Sequence, residues 1–242
     1  MRIILTLMLA AVLALVPSAA TPVVEPEPEP IIIEPVSIVI LCPDIVYRYC
    51  ESQEEAIAFN NKITHYLHLM AQQEPHPAMT VEAERLRNIQ VRLRDDIRRF
   101  EEYPVATYIW QRLRNDGFSE AVAAGIIGNM AIECGGFTLH LQPDAYNSYE
   151  HGGGLCGWLY CYYPDAQGAT LEEQYNLLMR TLKWSYTMFG ASYERFLAMT
   201  DPAEAAYAFA KNYERCYESE YNYRVRRDLA KVAFGYYAVG QD

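Results

Sequence analysis

The sequence predicts a mainly α-helical protein, and three observations carry that prediction. Apolar residues recur at three- and four-residue spacing through most of the chain after residue 50. The segments so marked begin and end at recognisable capping residues. No alternating apolar–polar run longer than a few residues stands out as a strand. A composition of 51% hydrophobic and 21% charged residues in 242 fits one or two folded domains, and excludes a disordered or fibrous chain. The formal charge of −11, from 31 acids against 20 bases, is opposite to that of a protein living on phosphate contacts, so nucleic acid is excluded as a partner.

The elements follow in chain order. Residues 1–20 read as a secretory signal peptide: Met1-Arg2 carries the positive charge, Ile3 to Val16 is an uncharged apolar run, and Pro17-Ser18-Ala19-Ala20 supplies small residues before a cut after Ala20. An anchor crossing a bilayer needs about 20 apolar residues, which this run lacks. The mature protein is therefore expected outside the cytoplasm, secreted or in the cell envelope. Residues 21–50 form a linker, because the Glu-Pro repeats before Pro35 cannot enter a helix interior. Cys42 and Cys50 stand where they can close a small loop at its end.

Residues 51–103 read as an amphipathic helical hairpin. Ala56, Phe59, Ile63, Leu67 and Met70 mark the first helix, Pro75 and Pro77 break it, and Leu86, Ile89, Leu93, Ile97 and Phe100 mark the second. His65, His68 and His76 are expected at its surface, and the hairpin is a candidate surface for a partner or for self-association. Pro104 marks the boundary to residues 104–242. There Val105 to Asn115 stops at Asp116-Gly117, and Ser119 caps a helix that runs to Cys134 and ends at Gly135-Gly136. Phe137 to Ala169 lacks a helical period. Leu171 to Phe189, Ser192 to Met199, Pro202 to Arg215 and Tyr221 to Tyr237 close the chain as helices, the third with Asp201 as N-cap and Pro202 at the first helical position. Fifteen of the 20 tyrosines lie at or after Tyr146, which sets this part apart in composition.

In an oxidising compartment six cysteines are expected to pair, although they allow 15 connectivities and the sequence does not choose among them. Cys134 is placed to staple the helix end it follows. There is no Cys-x-x-Cys pair and no His/Cys cluster, so no metal and no cofactor is expected.

One acid is unusually placed. Glu133 ends a helix made otherwise of small and apolar residues, where desolvation and the negative end of the helix dipole both favour the protonated form that a general acid requires. A glycosidase acting with two carboxylates needs a partner acid within about 5–9.5 Å. Asp144 and Glu150, in the loop that follows, are equal candidates for it, and either is equally suited to capping a turn. With neither in reach, Glu133 acting alone as acid and then base is the remaining route. His140 and His151 read as rim residues. Glu214 reads as half of a buried or half-buried ion pair with Arg226 or Arg227, and Glu173-Gln174 as part of a helix face.

Gly125-Ile126-Ile127-Gly128-Asn129-Met130-Ala131-Ile132-Glu133-Cys134-Gly135-Gly136 resembles the signature helix of the phage tail lysozyme family, within the lysozyme-like superfamily. The resemblance continues through Gln142 to Asn147, Gly153 to Trp158, Leu171 to Leu178 and Ala208 to Arg215, and covers about residues 104–238. It departs at Gly157, where the family commonly has Gln before the loop tryptophan. The resemblance implies a lysozyme-like helical domain that cleaves the β-1,4 bond between the amino sugars of peptidoglycan, MurNAc and GlcNAc. It also implies Glu133 as general acid and Trp158 in the sugar cleft, with Gln142, Tyr146, Tyr149 and Tyr213 as further substrate-binding residues. Aromatic rings suit the apolar faces of sugars. A hydrolase and a lytic transglycosylase are both compatible with it; the alternative is a non-catalytic peptidoglycan-binding or adaptor module of the same fold. A phage-encoded copy would be virion-associated.

Overall fold

The hairpin forms because both of its helices repeat their apolar residues every seven positions. In the computed structural model, which describes residues 45–73, 77–188, 190–215 and 219–239, α1 (Gln53–Ala71) buries Ala56, Ile63 and Met70. Helix α2 (Pro77–Glu102) meets them with Met79, Leu86, Ile89 and Leu93. The Ser52 hydroxyl accepts the Glu55 amide at 3.1 Å and so starts α1. The apolar faces of the two helices are thus spent on one another, with Ile45 and Cys50 added from the preceding segment. Signal peptide, Glu-Pro linker, Cys42, His76 and Cys216 all lie outside the described residues. No described helix is long and apolar enough to cross a membrane.

The second core is built around one helix. Helix α3 (Pro104–Asn115) begins with proline at its first position and ends before Gly117. Ser119 then caps α4 (Glu120–Glu133), accepting the Val122 amide at 3.2 Å. Every residue of α4 from Ala121 to Met130 is buried, as its all-round apolar character demands. It is clasped by α7 (Pro202–Phe209) and α8 (Glu220–Phe234). Their approach is close: a Cβ on Gly128 would stand 2.6 Å from the amide nitrogen of Ala230, and one on Gly125 would stand 2.7 Å from the Cβ of Ala205. The remaining helices are α5 (Leu171–Met188) and α6 (Tyr193–Leu197). Expectation and structure agree on a mainly α fold.

Three details differ from the sequence reading. The loop after α4 contains a small antiparallel sheet, β1 (Tyr146–Asn147), β2 (Gly152–Gly153) and β3 (Trp158–Leu159), with Tyr146 opposite Gly153 and Gly153 opposite Trp158. Its strands are two residues long and its middle strand is Gly-Gly, so no alternation or β-branched run could reveal it. The last two helices do not stay α-helical: Ala210–Glu214 and Gly235–Val239 are π-helical turns. The first ends where Arg215 turns left-handed at φ 52° and donates its amide to the Ala210 carbonyl at 2.8 Å.

The third is Gln174, placed from the sequence only on a helix face and found buried. Its amide nitrogen donates to the carbonyls of Pro143 (2.7 Å) and Ala169 (2.9 Å), and its oxygen accepts the Leu155 amide (2.9 Å), which stitches the irregular loop to α5.

No disulfide is found among the described residues: Cys50, Cys134, Cys156 and Cys161 carry free thiols. Cys50 sits in the hairpin core, where burial pushes its thiol up to about 12, and it packs there as a small apolar side chain.

Candidate active site

The C-terminal turn of α4 delivers Glu133 into a ring of polar groups. Arg226, on α8 and only 2% exposed, reaches across with one guanidinium nitrogen 2.5 Å from Glu133 Oε1. A second donates to Asn129 Oδ1 at 2.9 Å, and its Nε donates to Asn222 Oδ1 at 2.8 Å. Asn129 sits one turn before Glu133 and is itself held by donating to the carbonyls of Gly125 and Ala206. A rigid bridge of buried hydrogen bonds therefore fixes the guanidinium that fixes the acid. The sequence did not name this cation as a partner of Glu133, from which it lies 93 positions away.

The other carboxylate oxygen lies against Gly157. A Cβ built there would stand 2.6 Å from Glu133 Oε2, and the residue has the left-handed φ of 55°. The carboxylate fills the space that a side chain at this position would need.

Beyond Gly157 opens a cavity of about 660 Å³. Trp158 and Tyr213 form its floor and Tyr162, Trp184 and Met188 its exposed walls, at 75%, 54% and 60% exposure. Trp158 and Tyr213 are 3% and 6% exposed, and the indole nitrogen donates to the tyrosine oxygen at 3.1 Å. They are framework beneath the groove more than platforms for a sugar. The exposed aromatic walls were not singled out from the sequence, because Tyr162 and Trp184 come together only through the loop-to-α5 fold.

Neither loop acid is among the residues that line this cavity. Asp144 is exposed on the turn before β1, and Glu150 is exposed with its carboxylate on the Asn147 amide at 3.2 Å. Neither is hydrogen-bonded or ion-paired with Glu133. Tyr146 (57% exposed) stacks on Tyr160, with its hydroxyl 3.1 Å from His151, and Tyr149 is 92% exposed. Gln142 is exposed, its backbone amide tied to the carbonyl of Cys134 at 3.0 Å. His140 packs edge-on to Tyr103.

The acid at the cavity is Glu214. It ends the π-turn after α7 and lines the cavity beside Cys156 and Gly157. Of the two arginines expected as its partner, Arg226 and Arg227, Arg226 acts on its charge and also bonds to Glu133. Burial pushes the Glu214 carboxyl well above the usual carboxylate range, and the negative charge of Glu133 adds to that, against the pull of Arg226, the Cys156 thiol and Arg215. Burial likewise holds Cys134 up at about 12 and Cys156 well above its usual value, so both thiols are neutral. Among the described residues no cluster of three His, Cys, Asp or Glu is arranged to hold a metal.

A model of the phage tail lysozyme family matches residues 104–237, which include Glu133, Glu214 and the residues that line the cavity. No curated protein and no solved structure matches the chain. A match over more than half of the chain makes it a member of the phage tail lysozyme family, lysozyme-like proteins that act on peptidoglycan.

Proposed function

We propose that the chain hydrolyses the β-1,4 bond between MurNAc and GlcNAc in peptidoglycan, with Glu133 as the group that exchanges a proton with the glycosidic oxygen. The observation that carries this reading is the placement of Glu133. Its carboxylate is held by Arg226 and lies against Gly157, which lines a cavity with exposed aromatic walls. Its side chain keeps 22% of its surface in solvent, so a sugar oxygen can reach it. A glycan strand lying along Trp184 and Tyr162 would meet the acid where the groove passes Gly157. To act as an acid Glu133 must take up a proton, and its bond to Arg226 must slacken as it does.

The ion pair also favours a second reading, a module that keeps the groove and binds glycan without cutting it, because a carboxylate locked to a guanidinium donates no proton. Product analysis separates the two. The chain and its Glu133→Gln variant are incubated with peptidoglycan and the released muropeptides weighed by mass spectrometry. Reducing-end fragments from the wild type alone are expected. Anhydro-muramyl ends would make the protein a lytic transglycosylase, and a folded wild type that binds glycan but releases nothing would leave the binding module. The site of action is proposed to lie outside the cytoplasm, on the strength of residues 1–20.

A further inference from the structure

A carboxyl group that no expectation placed in the site, Glu214, lines the same cavity as Gly157, the residue against which the Glu133 carboxylate lies. Glu214 has one oxygen, Oε1, shut off from solvent and without a hydrogen-bond partner, while its other surroundings are a thiol and charged groups. The groups that face it come from every packed element: Glu133 and Cys134 from α4, Cys156 from the turn before β3, Tyr186 from α5 and Arg226 from α8, with Tyr213 and Arg215 beside it in the chain. Arg226 is already committed to Glu133, Asn129 and Asn222. One guanidinium thus stands before two carboxyls, and the buried one is better accommodated uncharged, as an acid whose O–H can be shared.

We propose that Glu214 is the proton-holding partner of Glu133, so that the two carboxyls work as one titrating pair in which Glu214 keeps the proton in the free protein and supplies it to Glu133 during the cleavage proposed above. Glu214 is a positioning residue in this scheme, since it acts through Glu133. The balance is simple. The pair's one proton passes from Glu214 to Glu133 and from Glu133 to the glycosidic oxygen as the bond to the anomeric carbon breaks. The incoming water places hydroxide on the anomeric carbon and returns one proton to the pair. The pair supplies a reason why Asp144 and Glu150 stand apart: the site's second carboxyl comes from the π-turn after α7. Environments that push two neighbouring acids apart in proton affinity are the general means by which one site holds both an acid and a base at neutral pH. The inference rests on the glycosidase reading for its catalytic half only.

Two readouts test it, one of which needs no activity. Carbon-13 NMR of glutamate side-chain carboxyls in the full chain should show one group titrating well above the ordinary glutamate range. That signal should vanish in Glu214→Gln and move to lower pH in Glu133→Gln, where the neighbouring charge is gone. The pH profile of product release by Glu214→Gln should keep its KM and shift its basic limb at least one pH unit lower, a loss of about tenfold or more in kcat on that limb. Glu214→Asp, which keeps a carboxyl, should restore part of the shift. The absence of a high-titrating carboxyl overturns the proposal even if Glu214→Gln fails to fold, because the wild type alone decides it. An unchanged pH profile in a folded Glu214→Gln overturns it as well and leaves Glu214 as packing. If the wild type releases no product while the carboxyl titrates high and responds to Glu133→Gln, the glycosidase reading has failed and the pair stands.

Discussion

Gly157 and Arg226 hold the two oxygens of Glu133 from opposite sides, and each makes a prediction. Alanine at 157 would adopt a left-handed backbone and push its Cβ to 2.6 Å from Glu133 Oε2. Gly157→Ala should cost about 1–2 kcal/mol in denaturant unfolding and lower kcat/KM by more than tenfold, because the acid must move. Arg226→Met removes three hydrogen bonds at once and strands Glu133 and Asn129 without their partner. For a fully buried pair such a loss costs about 3–5 kcal/mol, and the partial exposure of Glu133 brings the expectation here to about 2–3 kcal/mol. Glu214 adds a pH dependence. Its folded state binds the proton more tightly than the unfolded chain, so its contribution to stability is present below the ordinary carboxylate range and is lost as pH rises from there through the raised folded value. Unfolding curves of Glu214→Gln across that window should therefore fall less steeply with pH than those of the wild type. Of these residues only Glu133 was legible in the sequence as a candidate acid, alone at the close of an apolar helix. Glu214 sits among tyrosines in a helix that reads as amphipathic, and what buries it is Cys156 and α4, contacts that no local pattern carries.

Helix α4 shows the same division at the next scale. Its existence, cap and end were legible, and so was its burial, because no face of it is polar. Its neighbours were not, although the glycines that admit them stand in plain view. Gly128 meets the backbone of Ala230, which cannot give way like a flexible side chain, so Gly128→Ala should be destabilising by about 1–3 kcal/mol although alanine favours a helix by about 1 kcal/mol. Gly235 is the control. It has helical angles (φ −58°, ψ −42°) and nothing within 4 Å of a built Cβ, so Gly235→Ala should be neutral or stabilising by up to about 1 kcal/mol. Thermal or denaturant midpoints of the two variants, taken side by side, separate close helix packing from helix propensity; equal effects would refute the packing account. The short sheet and the π-turns lie at the opposite pole: their geometry is set by Gln174 holding the loop and by Arg215 turning the chain, and neither leaves a periodic trace.

At the scale of the whole molecule, Pro104 reads in the sequence as the boundary between an appended hairpin and the lysozyme-like domain, yet side chains cross it in both directions. Arg99, near the end of α2, donates to the carbonyl of Tyr236 at 3.2 Å and lies over the rings of Tyr236 and Tyr237. Its own carbonyl accepts the Thr107 hydroxyl at 2.9 Å, and the Tyr236 hydroxyl donates to Glu102 at 2.7 Å. Asp96, buried one turn earlier, accepts the Tyr47 hydroxyl at 2.8 Å and stands 3.5 Å from Arg99. Burial raises its carboxyl above the usual range despite both partners. The hairpin is therefore tied to the C-terminal end of α8, the helix that carries Arg226. Proline marked a real change of element, and the long side chains that bridge it carry no periodic signal. Arg99→Met should lower stability by about 2–3 kcal/mol, since it leaves Asp96 and the Tyr236 carbonyl short of a buried partner. Hydrogen exchange should quicken at residues 229–239 in the same variant, while α1 and the first turns of α2, held by their own core, keep their protection. Were the hairpin an independent appendage, exchange at 229–239 would match the wild type, and removing residues 51–102 would leave the rest as stable as before.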